Sequence, residues 1–194
     1  MGTWQRVSRG RMFFGIVLAL ALVASKAAAL TLTSTVDQSG FSGFSSAPFP
    51  LTDSPYDFTS QSYLALITID SIEITLTMND GDTASGNFDF NHLTLGLDGI
   101  DTGIVLNGFR NNKTDTLTIT GTPANAAAIL AALHADGLLV GTIIDSDPND
   151  NWIVFPASFQ TTLTITGVAA PEPATLSLLG LGLGGMALYR RRRS

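Results

Sequence analysis

Residues 145 to 151 read Asp-Ser-Asp-Pro-Asn-Asp-Asn, so that Asp145, Asp147, Asn149 and Asn151 place an oxygen-bearing side chain at every second position. Alternating carboxylate and amide oxygens suit calcium, a hard cation that accepts about six to eight oxygens in flexible geometry. The competing account is an Asx-rich turn whose side chains bond their own backbone. Asp80, Asp82 and Asp89 form a second acidic group of the same kind. Asp101-Thr102-Gly103 points to different chemistry, a proton shared between two closely placed carboxylates, whose partner must come from a symmetric dimer or from a second triplet. The chain has none. His92 and His134 are the only histidines, and neither has a partner at metal-ligand spacing. There is no cysteine, which removes thiol nucleophiles and thiolate zinc sites together. No catalytic set emerges, and the only cofactor these residues suggest is a structural calcium ion at Asp145–Asn151.

The triplet at 101–103 resembles that of aspartic proteases, but Asp98-Gly99 just upstream reads as a turn instead of the apolar strand such a triplet needs. The acidic loop resembles the first half of an EF-hand, yet Asp150 stands where glycine is required and Pro156 where a bidentate glutamate is required. Phe41, Phe44, Phe49, Tyr56 and Phe58 are spread through a Ser/Gly/Pro-rich stretch from Asp37 to Ser62. A structureless loop of that length is uncommon in a compact domain. It is expected to lie over the core with its aromatic rings held down; the sharper alternative is a platform for sugars.

The elements that must position these residues are mostly strands. Leu30–Val36 alternates Leu with Thr, and Ile72–Met78 puts Ile72, Ile74, Leu76 and Met78 on one face. Tyr63–Ile69, Phe88–Leu97, Ile104–Phe109, Thr116–Thr120, Leu138–Ile144, Trp152–Phe155 and Thr161–Val168 are expected as further strands. Thr116–Gly121 and Thr162–Gly167 are the same hexapeptide, TLTITG. One helix is expected over Ala124–Ala135, capped by Thr122 with Pro123 in its first turn and ended by Asp136-Gly137. The fold class that follows is mainly β: an antiparallel β-sandwich or jelly roll with one inserted α-helix.

Both ends read differently. Arg6, Arg9 and Arg11 precede an apolar stretch from Met12 to Val23 and then Ala27-Ala28-Ala29, the order of a secretory signal peptide over residues 1–29. At the other end, Pro171-Glu172-Pro173 is followed by 16 uncharged residues, Ala174 to Tyr189, and then by Arg190, Arg191, Arg192 and Arg193. A helix of that apolar length spans roughly 24 Å, against a hydrocarbon core of about 30 Å. The arginines mark their end as cytoplasmic and can reach the headgroups, so a transmembrane helix is expected. This order of parts resembles the PEP-CTERM sorting signal of Gram-negative bacteria. The resemblance implies export, transient residence in the inner membrane and processing by an exosortase. Pro171, Glu172 and Pro173 would be the processing region and Arg190–Arg193 the retention signal.

Three regions follow: signal peptide 1–29, exported β domain 30–170 and sorting segment 171–194. Between residues 30 and 170 only Arg110 and Lys113 are basic, against fifteen acids, a formal balance of −13. Such a surface repels nucleic acid. The expected role is a non-enzymatic structural protein of the cell envelope, cell surface or extracellular matrix. Its expected partners are signal peptidase, exosortase, the inner membrane and exopolysaccharide. A carbohydrate-binding or adhesive module is the first rival, and an exported hydrolase the second.

Overall fold

The computed structural model describes residues 28–43, 48–78, 92–110, 113–146, 153–171 and 173–191. The chain divides into two units, Ala29–Ala169 and the two terminal segments taken together. Among the described residues the first unit is antiparallel β with one α-helix. Its first sheet holds β1 (Ala29–Asp37), β5 (Ser71–Met78), β8 (Asp115–Gly121) and β12 (Gln160–Val168) in the order β1-β12-β5-β8. A second holds β3 (Phe49–Pro50), β6 (Leu93–Leu97), β7 (Ile100–Val105) and β10 (Gly141–Asp145) in the order β3-β10-β6-β7. Two ribbons complete it: β2 (Phe41–Gly43) with β11 (Ile153–Phe155), and β4 (Tyr56–Asp57) with β9 (Leu138–Leu139).

Period-two patterning sets the first sheet. Leu32, Ile72, Ile74, Leu76, Leu163 and Ile165 face inward and are buried, while the threonines between them face solvent or the sheet surface. Register places those threonines opposite one another. Their hydroxyls pair across strands: Thr31 with Thr166 at 3.2 Å, Thr33 with Thr164 at 3.3 Å, Thr35 with Thr162 at 2.9 Å, Thr75 with Thr118 at 2.7 Å and Thr77 with Thr116 at 2.7 Å. Each such pair contributes roughly 0.2–1 kcal/mol. The two copies of TLTITG lie in β8 and β12, on either side of the central strand β5.

One buried cluster draws on both sheets, with Leu93, Leu95, Leu97 and Ile143 from the second packing with the inward residues of the first. The helix α1 (Ala126–Asp136) adds Ile129 and Leu133. Phe49, Tyr56 and Phe58 of the irregular stretch are buried at 3%, 0% and 0% exposure, so these rings fill the core as expected. The backbone there is tied down by Leu51 N–H donating to Gly141 O at 2.9 Å and Phe58 N–H donating to Gly137 O at 2.9 Å.

Three local expectations change. Tyr63–Ile69 is not a strand: Tyr63–Ala65 is a single 3-10 turn, and the chain then follows β12 past the end of β5. An unbroken apolar run carries no period that would distinguish a strand from a turn. The helix starts at Ala126 with Asn125 at its N-cap instead of Thr122. Ala124 N–H donates to Thr102 O at 2.8 Å, which ties that segment to β7 before the helix can begin. Strand β7 begins at Ile100, earlier than expected, because Asp98 (φ 50°) and Gly99 (φ 73°) make a two-residue hairpin turn with Leu97 opposite Ile100.

At two places in the first sheet a side chain stands in for a missing backbone partner. Where β12 stops pairing with β5, Gln38 takes its place: its Nε2 donates to Thr77 O at 2.8 Å and its Oε1 accepts from Thr77 N–H at 2.7 Å. Both residues are buried. Gln38→Ala leaves that N–H and C=O without these partners, and loss of roughly 2 kcal/mol or more is expected. The check is a lower denaturant midpoint with an unchanged slope. Nearby, Thr161 Oγ1 donates to Thr75 O at 2.8 Å and shares a 2.9 Å hydrogen bond with Tyr56 Oη. Burial pushes the Tyr56 phenol well above its ordinary value, against the lowering effect of that bond, so it remains protonated.

Candidate functional site

The C-terminal segment leaves the β unit after Ala169, which bridges Leu66. Pro171 is exposed, and the helix α2 (Pro173–Arg191) starts at Pro173, where a missing N–H costs nothing. Arg190 and Arg191 lie in its last turn, favourably placed against the negative end of the helix dipole. Glu172, Arg192 and Arg193 lie outside the described residues. Leu181, Leu183, Met186 and Tyr189 are exposed at 74%, 43%, 42% and 55%. Gly180, Gly182, Gly184 and Gly185 have open space where a Cβ would sit.

In water, four glycines cost this helix roughly 3–4 kcal/mol relative to alanine. In hydrocarbon the balance reverses, because a backbone amide without an internal partner costs several kcal/mol there. The composition therefore suits an apolar environment. The helix still falls short of a full span: among the described residues, no helix is long and apolar enough to cross a membrane. Glycines dilute its hydropathy, and its last two residues are arginines.

The acidic candidates resolve into structural bonds. Asp101-Thr102-Gly103 lies within β7 at a register shift, with Thr102 buried and Asp101 exposed. Thr102 Oγ1 donates to Leu95 O at 2.7 Å, and Asp101 Oδ1 accepts from Gly103 N–H at 2.8 Å. The triplet thus stabilises a bulge in a strand, where the sequence suggested a turn. Asp145 closes β10 opposite Leu93 and is 9% exposed. Asp147, Asn149 and Asn151 lie outside the described residues, as do Asp80, Asp82 and Asp89. No group of three or more potential metal-binding residues assembles among the described residues. His92 Nδ1 lies 3.3 Å from Ser146 Oγ, and His134 Nε2 lies 3.2 Å from Tyr63 O. Of the aromatic residues proposed as a sugar platform, Phe49, Tyr56 and Phe58 have no exposed face, and Phe44 lies outside the described residues.

One ion pair has no obvious sequence signal. Arg110 bonds both carboxylate oxygens of Asp115 through its guanidinium, and its backbone N–H donates to Asp115 Oδ2 at 2.9 Å. The Asp115 side chain is 10% exposed and that of Arg110 71%. Hydrogen bonding from Arg110 chiefly holds the Asp115 carboxyl below its usual range. A carboxylate with a depressed folded pKa contributes stability above its unfolded value of about 3.9, and that contribution disappears as pH falls through the folded value. Melting temperatures taken from pH 7 downward should therefore fall at acid pH. Asp115→Asn should lower stability at pH 7 and flatten the acid limb; an unchanged limb would refute the assignment.

The family model for the PEP-CTERM protein-sorting motif matches residues 169–193. A comparison of the chain with curated proteins returned no match. The matched residues cover the exposed Pro171, the whole of α2 and the arginines beyond it. The motif indicates an exported protein sorted by an exosortase, with a membrane-anchored intermediate in a Gram-negative bacterium.

Proposed function

We propose that Ala29–Ala169 is a non-enzymatic structural domain of the cell envelope or extracellular matrix, delivered by the sorting segment that follows it. The sorting motif at residues 169–193 carries this reading. The state of the described carboxylates supports it. Asp57 accepts from the backbone and hydroxyl of Thr59, Asp98 from Val140 N–H, Asp101 from Gly103 N–H, Asp136 from Leu138 N–H and Asp115 from Arg110. These acids close turns and tether loops. A hydrolase would need two of them held apart for proton transfer.

Signal peptidase would remove residues 1–29, leaving the β domain outside and the arginines inside. The short helix α2 would be accommodated by local bilayer thinning and by arginines reaching the headgroups, which suits a transient anchor. A domain with a formal balance of −13 between residues 30 and 170 stays soluble and resists collapse among anionic chains. Exopolysaccharide is the matrix partner this reading names. The test combines intact mass and cell fraction of the mature species with turnover assays on polysaccharide and peptide substrates. A mature chain lacking α2, found outside the inner membrane and inert in those assays, supports the reading. Turnover abolished by a single Asp→Asn change would replace it with the hydrolase.

A further inference from the structure

The first sheet has two edges, and they are finished differently. At β1, Gln61 caps the middle of the outer edge: its Nε2 donates to Thr33 O at 2.7 Å and its Oε1 accepts from Thr33 N–H at 2.9 Å. At β8, nothing among the described residues bonds the outer backbone edge from Thr116 to Gly121. The strand is seven residues long, has no proline or lysine within it, and exposes Thr116, Thr118 and Thr120 with Leu117 and Ile119 half-buried. Unprotected edges of this kind template strand addition.

The molecule already contains a pattern for what adds. The TLTITG of β12 has β5 on one side and β1 on the other, with Thr31 opposite Thr166, Leu32 opposite Ile165 and Thr33 opposite Thr164. Among the described residues, the same hexapeptide in β8 pairs with β5 on one side only. Thr116-Leu117-Thr118-Ile119-Thr120 is also self-complementary when reversed. An antiparallel pair centred on Thr118 sets threonine against threonine on the outer face and Leu117 against Ile119 on the inner face. These are the residue classes that β1 and β12 already pair.

Charge adds a second argument. Arg110 and Lys113, the only cations between residues 30 and 170, precede β8. At the far end of the strand, Thr120 Oγ1 donates to Glu73 Oε2 at 3.1 Å. With Arg110 already held by Asp115, a two-fold pairing brings Lys113 of each copy towards the Glu73 end of the other, twice by symmetry. In a domain otherwise so acidic, this is the edge at which a second copy is least repelled.

We infer that the chain forms a two-fold dimer through antiparallel pairing of β8 with β8 of a second copy, joining two four-stranded sheets into one. The occupant is the same strand, so the interface is isologous and closes after two chains. The glutamine on β1 keeps the opposite edge from propagating the sheet into a filament.

The test uses the full chain in detergent, with sedimentation mass as the readout. Thr118→Lys sets two ammonium groups opposite each other at the two-fold axis, on a side chain that is exposed in the monomer. The wild type is expected at the mass of two chains and the variant at one, with unchanged circular dichroism. Thr33→Lys, on the covered edge, is expected to leave the dimer intact. Because the chain has no cysteine, Thr118→Cys reports independently through a disulfide-linked dimer under mild oxidation. The inference is overturned by a monomeric wild type, by a dimer that survives Thr118→Lys, or by a Thr118→Cys chain that cross-links no faster than a Thr33→Cys chain. A dimer lost only on replacing Gly180 and Gly184 would assign association to α2 and overturn it equally.

Discussion

Replacing Pro171-Glu172-Pro173 with three alanines is expected to stop processing of the exported chain, leaving a precursor of full C-terminal mass in the inner membrane. The two prolines keep the residues before α2 out of the helix, since neither can donate a backbone hydrogen bond and each disfavours helix in the residue ahead of it. Alanine has the highest helix propensity of any residue. The substituted helix would extend back towards Ala169, and the peptide that a processing enzyme must grip as extended chain would be wound into hydrogen-bonded turns. Glu172, the one charge between Asp150 and Arg190, would be lost at the same time. Intact mass and fractionation read the outcome as near-complete loss of the mature species. The melting temperature of the β unit should not move, because no core residue is touched. A variant that still reached its normal mature mass and location would show that this tripeptide is not what the sorting machinery reads.

Gly167→Ala is expected to be among the most damaging single changes in the β unit, and Gly121→Ala among the mild ones. The two glycines end identical hexapeptides in strands that flank the same partner. At 167, an added Cβ would run into the carbonyl oxygen of Thr68, a backbone atom. The chain from Leu66 to Asp70 follows β12 there and is held by Ile67 N–H donating to Val168 O and Asp70 N–H donating to Thr166 O, each at 2.8 Å. Making room means moving backbone and breaking those bonds. A loss of about 3 kcal/mol, the upper part of the overpacking range, is expected. That is a large fraction of the roughly 5–15 kcal/mol that holds a domain together. At 121 the new methyl would meet only side-chain carbons of Ile104, at 3.0–3.4 Å, so a side chain has to give by a few tenths of an ångström and no backbone has to move. The loss there should stay below about 1 kcal/mol. Chemical denaturation of both variants checks the contrast, and equal losses would mean that Leu66–Asp70 yields easily.

Much of the fold was readable because it rests on local periodicity. Ile72–Met78 alternates without interruption and Leu30–Val36 and Thr161–Val168 over most of their length, and each is a strand within a residue or two of its expected bounds. The alanine-rich stretch announced the helix, and Gly137 ended it in the left-handed conformation expected of that residue. The sorting segment was readable for a related reason: its meaning lies in composition and order along the chain, and no distant residue is needed to complete it. What was not readable depended on partners far apart in sequence. Tyr63–Ile69 is as apolar as a strand, yet it is a turn followed by an arch, held to β12 past the end of β5 by Ile67 N–H donating to Val168 O and Asp70 N–H donating to Thr166 O. The cap moved from Thr122 to Asn125 because a bond to Thr102 held the chain first. Gln38 and Gln61 sit in polar stretches with no local cue that one would finish a buried ladder and the other cover an edge.

By itself, then, the amino-acid order determined which stretches alternate, where the chain must turn and which end is addressed to a bilayer, since each follows from neighbours within a few residues. Tertiary structure alone decided the different fates of two copies of TLTITG. In β12 the strand is enclosed on both sides and overarched at its glycine, while in β8 it is the last strand of the sheet among the described residues. Identical residues have identical propensities. The difference comes from what the rest of the chain brings within van der Waals distance of each.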